Sequence, residues 1–345
     1  MNRLNSTFVV LLVLSLVLVS FHQNEVKAEA NTVFVPDDYS TIQEAVEYAA
    51  EGDTVFVKNG VYRVDDNTTL VISKTLSLIG EDPENTVILG AFSMYPENDV
   101  AIRVAAPDVT LSGFTIKDCP VAIAIANYYA EPYPSGCRIV NNNIVNNSEG
   151  IRPQRNDVFI SGNNITGNKA GITGSSTENV FITGNNITDN HYFGINIGMS
   201  RNVTICGNNI TQNDVGIVLL IFPNGGDVAV SGVGNTVFGN LFIDNSEQVS
   251  QDETDFVLNS SWSMGTDIVL WDNGTLGNYW DDYTGVDENG DEIGDTPYII
   301  DENNQDNYPS VNPPDISSIP EFPSLAILPL LATILLVIFV YRKNI

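Results

Sequence analysis

Between Val109 and Phe242 the chain writes one short phrase again and again. It reads Ile139-Val-Asn-Asn-Asn-Ile144, Ile160-Ser-Gly-Asn-Asn-Ile165, Ile182-Thr-Gly-Asn-Asn-Ile187 and Ile205-Cys-Gly-Asn-Asn-Ile210. Looser copies flank these at Leu111-Ser-Gly-Phe-Thr-Ile116 and Val237-Phe-Gly-Asn-Leu-Phe242. Successive copies begin 28, 21, 22, 23 and 32 residues apart. Such a period is too short for a pair of helices and suits one turn of a solenoid of short strands. Each turn leaves an apolar face bare until the next stacks on it.

Within one repeat, Val180-Phe-Ile182 reads as a strand, Thr183-Gly-Asn-Asn186 as a corner and Ile187-Thr188 as a second strand. Asp189-Asn190 turns the chain again before Gly194-Ile-Asn-Ile197. Gly and Asn reach positive φ at low cost, where Val or Ile do not. The pattern points Ile182, Ile187, Ile195 and Ile197 inward. It also stacks Asn163, Asn185 and Asn208 at one corner, each bonding to the Asn above and below. The expected fold class is therefore all-β, a parallel β-helix over residues 31–310, with the repeats at 109–245. Thr41–Ala50 reads as an amphipathic helix that plugs the open end, within an N-terminal cap of residues 31–60. Ser40 or Thr41 caps it, Glu44 suits a capping box, and Ile42, Ala45, Val46 and Ala49 form one stripe.

The two ends read differently. Residues 1–30 carry Arg3, an apolar run from Phe8 to Phe21 and Ala28-Glu-Ala30, which is the pattern of a cleaved secretory signal; an uncleaved anchor is the alternative. Residues 311–324 form a Pro-rich linker. Leu325–Tyr341 is an apolar stretch that reaches roughly 26 Å as a helix, close to the lower limit for spanning hydrocarbon. Residues 342–345 form a tail in which Arg342 and Lys343 place the C-terminus inside, leaving the ectodomain outside. Acidic residues number 43 against 14 basic ones, a formal charge of −29, which disfavours nucleic acid and favours cations. Asn-X-Ser/Thr acceptor triplets occur at Asn67, Asn146, Asn164, Asn186, Asn202, Asn209, Asn259 and Asn273. Of the three cysteines, Cys119 and Cys137 flank an insertion between coils and are candidates to pair.

The phrases Tyr39-Ser-Thr-Ile-Gln-Glu-Ala45, Gly52-Asp-Thr-Val55 and Asn59-Gly-Val-Tyr62 resemble the opening of pectin-lyase-like right-handed parallel β-helices. The repeats resemble the NosD-type group of that superfamily, whose members are grouped with carbohydrate-binding proteins and sugar hydrolases. Gly277-Asn-Tyr-Trp-Asp-Asp-Tyr283, Gly294-Asp-Thr-Pro-Tyr298 and Asp306-Asn-Tyr-Pro309 resemble the closing segment of archaeal surface proteins of the group. Ile319-Pro-Glu-Phe-Pro-Ser324 resembles a PEF-type archaeal sorting signal. The resemblance implies a cell-surface module, anchored by its C-terminal helix, that binds extracellular carbohydrate or envelope components. A polysaccharide lyase or glycoside hydrolase is the competing expectation.

Four groups of residues carry chemistry. Arg152, Arg155 and Asp157 share one turn and are the nearest approach to a catalytic base with an acid, or else a solvated ion-pair site. The sequence lacks the Gly-His-Gly and Arg-Ile-Lys strings of the β-helix hydrolases that the resemblance brings to mind. In the acidic segment 275–310, Asp287, Asn289, Asp291 and Asp295 alternate as in the first part of a calcium loop. Ile293 offers its carbonyl, and Asp301 or Asp306 would complete the shell; a solvated acidic cap is the other reading. Tyr128, Tyr129 and Tyr133 are candidates to stack on sugar rings, or to pack as a flap. Copper is not expected, because three scattered Cys and His191 make a poor soft-donor set.

Overall fold

The computed structural model describes residues 30–64, 69–90, 100–126, 133–174, 177–198, 200–219, 234–250 and 269–315. The expected signal, the linker beyond residue 315 and the apolar stretch 325–341 lie outside them, as do Asn67, Tyr128, Tyr129 and Asn259. Among the described residues no helix is long and apolar enough to cross a membrane.

Each repeat folds as three short strands meeting at three corners, one strand for each of three parallel sheets. One coil runs Val180–Thr183, Asn186–Thr188 and Phe193–Asn196; the next runs Thr204–Cys206, Asn209–Thr211 and Val215–Val218. The first sheet has 9 strands, the second 9 and the third 8. The repeat isoleucines set the register. Ile139, Ile160, Ile182 and Ile205 pair in line on the first sheet, and Ile144, Ile165, Ile187 and Ile210 on the second. All eight are fully buried. Ile195 is buried on the third sheet and Ile197 just beyond its strand, so the expected inward set holds.

The helix α1 (Ile42–Tyr48) covers the N-terminal end with Ile42, Ala45 and Val46 buried. Thr41 caps it by accepting from the Glu44 amide at 3.1 Å, while Ser40 Oγ donates to the Glu44 carboxylate at 2.8 Å. It is shorter than the expected Thr41–Ala50, because Ala49 has already turned to an extended conformation at φ −59, ψ 145.

Where the third sheet begins, Gly150, Gly171, Gly194 and Gly216 lie one above another. A Cβ on Gly171 would meet the Gly194 carbonyl oxygen at 2.3 Å, so only glycine permits this approach of backbones.

Inside the corners run chains of buried asparagine. At the first, Nδ2 of Asn142, Asn163, Asn185, Asn208 and Asn240 each donates to Oδ1 of the next Asn, at 3.1, 3.0, 2.9, 2.9 and 2.9 Å, ending at Asn278. The same oxygens also accept the backbone amides of the preceding rungs. The expected role of Asn163, Asn185 and Asn208 is thus what the structure shows. A second chain, Asn147, Asn168, Asn190, Asn213 and Asn245, runs the same way at the second corner.

Candidate functional site

The asparagine chains have a direction. Every rung accepts on the N-terminal side and donates towards the C-terminal side, so the last donor of each needs an acceptor. Carboxylates supply it. Asn278 donates its backbone N–H to Asp306 Oδ2 at 2.7 Å. Asn245 passes through Gln248 Oε1, at 2.8 Å, and Gln248 Nε2 donates to Asp281 Oδ1 at 2.6 Å. At the third corner Asn304 accepts from the Val269 amide and donates to Asp301 Oδ2 at 2.7 Å. The segment 269–310 is therefore a cap whose acids close the corner chains.

Asp306 is fully buried and also accepts from Trp280 Nε1 at 2.9 Å and the Tyr308 amide at 3.0 Å. Burial pushes its carboxyl up to about 6, against these bonds, from an ordinary 3.8. Between those values the folded chain holds a proton that the unfolded chain releases. Stability is accordingly expected to fall as pH rises from 3.8 to about 6, by on the order of 3 kcal/mol at about 1.4 per unit, and then level off for this group. Urea midpoints across that window check the slope in the native chain and in Asp306→Asn. Identical slopes would mean the other acids produce it.

Beside the cap lies a cleft of about 640 Å³, lined by Asp244, Glu247, Asp281, Asp282, Tyr298 and Ile299 among others. Its acids already serve the cap: Asp281 Oδ2 accepts the Asp244 amide and Asp282 the Tyr298 hydroxyl. Tyr298 in turn stacks on Trp280 at 4.3 Å.

The alternating acids of the expected calcium loop do not converge on a central point; they turn onto their own backbone. Asp287 accepts from the amides of Gly290, Asp291 and Glu292, Asn289 from that of Asp291, Asp291 from that of Ile293, and Asp295 from that of Glu288. Desolvation works to raise the Asp287 carboxyl, and the amides of Glu292, Gly290, Asp291 and Asn289 together prevail and hold it below its ordinary range. Among the described residues no three of His, Cys, Asp or Glu gather as a metal site. Of the expected completing ligands, Asp306 closes the first-corner chain and Asp301 accepts from Asn304.

Arg152, Arg155 and Asp157 follow one another in sequence and take up three separate tasks. Arg152 sits on the outer face of the third sheet and clasps Glu149 through Nε at 2.8 Å and Nη2 at 2.5 Å. Thr173, one strand on, donates to the same carboxylate at 2.9 Å. Arg103 occupies the same outward row, two strands back across Ala124. Arg155 leaves the strand and lays its guanidinium over the ring of Tyr133, 4.9 Å from the centroid. Tyr133 itself is 49% exposed. Asp157 stands at the next corner with φ 56 and accepts from Asn179 Nδ2 at 2.9 Å. The outer face of strand Glu149–Pro153 thus carries fixed donors and acceptors, and beyond its end Arg155 lies over a half-exposed ring. Arg103 was missed in the sequence, since only the strand register aligns it with Arg152.

Cys119 and Cys137 do not pair; both are free and buried, as is Cys206. Cys119 Sγ donates to the Lys117 carbonyl and Cys137 Sγ to that of Ala106, so each thiol is spent locally.

A three-faced parallel β-helix, capped at both ends and polar along its outer corners, is the class of protein these features define. Within that class the chain belongs to the NosD family, whose model, described as periplasmic copper-binding protein (NosD), matches residues 46–285. No curated protein matches the chain. Among solved structures it is similar to the A-module of a mannuronan C-5 epimerase of Azotobacter vinelandii, with 15% identity over 62% of this chain and 92% of that one, TM-score 0.32. It is similar to an alginate lyase of the PL6 family, 14% identical over 64% of this chain and 39% of that one, TM-score 0.35. Pectin methylesterase from carrot is 13% identical over 67% of this chain and 90% of that one, TM-score 0.34.

The family description implies copper, and the donor set among the described residues does not fit it. Copper takes thiolate, thioether or neutral imidazole ligands, so a Cys must first lose its proton. Burial pushes the thiols of Cys119 and Cys137 up to about 12 and 11, and each lies at a different place in the coil. His191 is the sole histidine among the described residues and donates its amide into the second-corner turn.

Proposed function

We propose that this chain is an envelope β-helix module that binds extracellular carbohydrate on the outer edge of the third sheet. The observation that carries the reading is the patch of Tyr133, Arg155, Arg152, Glu149 and Thr173. A half-exposed ring offers a stacking surface, and fixed donors and acceptors beside it match the hydroxyls of a sugar. The apolar stretch 325–341 holds the module at the membrane after the signal is removed, and the PEF-type segment is its sorting mark. Copper has no part in this reading.

Cleavage of the bound polysaccharide is the competing reading. It needs an acid and a base facing one glycosidic bond, whereas Arg152 is committed to Glu149 and Asp157 to Asn179. Binding of the chain shortened before residue 325 to an immobilised glycan panel tests the proposal. That shortened chain is expected in the medium, not the membrane. Tyr133→Ala and Arg155→Ala are each expected to weaken the best glycan about tenfold, near 1.4 kcal/mol. Unchanged binding in both variants would remove the patch from consideration, and new reducing ends or unsaturated products would favour the enzyme.

A further inference from the structure

The acceptor triplets for N-linked sugars are not equivalent once the chain has folded. Asn186 and Asn209 stand on successive strands of the second sheet, in register with Asn164. Their amides are chained: Asn209 Nδ2 donates to Asn186 Oδ1 at 2.7 Å, and Asn186 Nδ2 to Asn164 Oδ1 at 2.8 Å. Neighbouring strands lie about 4.8 Å apart, so a neighbour's amide fills the space that a sugar on either nitrogen requires. Asn164 is flanked in the same way by Asn143 and Asn186. Asn202 donates its Nδ2 to Asn179 at 3.2 Å.

Two triplets differ. Asn146 is exposed at the second corner in the left-handed region, φ 55, just before the buried rung Asn147. Its Nδ2 has no hydrogen-bond partner among the described residues. Asn273 is exposed in a turn that Gly274 closes at φ 88. Its Oδ1 accepts the amides of Thr275 and Leu276 and the Thr275 hydroxyl, at 3.0, 2.9 and 2.9 Å. All bonding thus falls on the oxygen, and Nδ2 projects without a partner among the described residues. The hydroxyl that the triplet requires is already held against the amide.

We propose that Asn146 and Asn273 carry N-linked glycans and that the stacked Asn186 and Asn209 do not. The co-substrate is an oligosaccharide held through its anomeric carbon on a polyprenyl phosphate. A bond forms from Nδ2 to that carbon, the carbon–oxygen bond to phosphate breaks, and the lipid phosphate leaves with the electron pair. One Nδ2 proton passes to base, and nothing is oxidised or reduced. The inference stands apart from the carbohydrate-binding reading.

Peptide mapping by mass spectrometry on the full chain from its native cells tests it. Sugar is expected on Asn146 and Asn273. Ser148→Ala and Thr275→Ala, which spare both asparagines, are each expected to remove the mass of one glycan. Thr188→Ala and Thr211→Ala are expected to leave the glycan mass unchanged. Sugar on Asn186 or Asn209, or a bare Asn146 or Asn273, overturns the proposal.

Discussion

Asn185→Ala is expected to cost about 5 kcal/mol, a loss comparable with the whole stability of many domains. Asn185 is 1% exposed and makes six bonds within the first-corner chain. Its Nδ2 donates to the carbonyls of Ile160 and Thr183 and to Asn208 Oδ1. Its own amide donates to Asn208, and its Oδ1 accepts two N–H groups from Asn163. Alanine keeps the amide bond and strands the rest. A buried polar group left without a partner costs roughly 1–3 kcal/mol, and two or three are orphaned here. Asn186, one residue on, is half-buried with its side chain on the outer face, and Asn186→Ala is expected to change stability by about 0.5 kcal/mol or less. Urea unfolding of the two variants side by side measures the difference. Equal midpoints would mean that the corner chain contributes nothing beyond filling space.

Trp280→Ala is expected to cost about 3–5 kcal/mol and to act locally. The indole is 1% exposed, sandwiched between Phe242 and Tyr298 with both centroids at 4.3 Å, and leans on Trp271 at 5.8 Å. It also holds Asp306 through Nε1. Stacked repeats touch only their neighbours, so a lesion at one end spreads through few interfaces. Hydrogen exchange should show protection lost over residues 269–310 while the coils of residues 138–196 keep theirs. Uniform loss along the chain would show that cap and coils unfold as one unit. The same experiment on Asn185→Ala gives the contrast, because that lesion lies midway along the stack.

The coil was legible because one side chain does one job at one spacing. Ile160, Ile182 and Ile205 recur at nearly constant intervals and stack in register. Asn163, Asn185 and Asn208 hold a fixed place within the same phrase. The second chain was harder to read. Asn147, Asn168 and Asn213 stand three residues before the buried Gly150, Gly171 and Gly216, but Asn190 stands four before Gly194, and the residues between share no type. An Asn a short way ahead of a recurring Gly-Ile was the available signal.

The cap was legible only as a resemblance. Its bonds join residues far apart in a segment without repeats, such as Asn278 to Asp306 and Asp272 to Asn307. The acidic loop stays ambiguous in the sequence for a different reason. Carboxylates at alternate positions suit either an ion or the amides of a tight turn, and residue identity alone does not separate the two. In the fold the amides of residues 288–293 take those oxygens. The outer row needed register, since Arg103 aligns with Arg152, and Thr173 reaches Glu149, only through the coil.

The one-way bonding of the corner asparagines makes the coil a vectorial object. A freshly completed coil faces its successor with N–H groups that the next coil's Asn oxygen meets. Synthesis delivers the chain N-terminus first, so each finished coil is a template waiting for the next rather than for the last. Growth then stops where acids replace amides: Asp306 and Asp281 take the final donors and offer none onward.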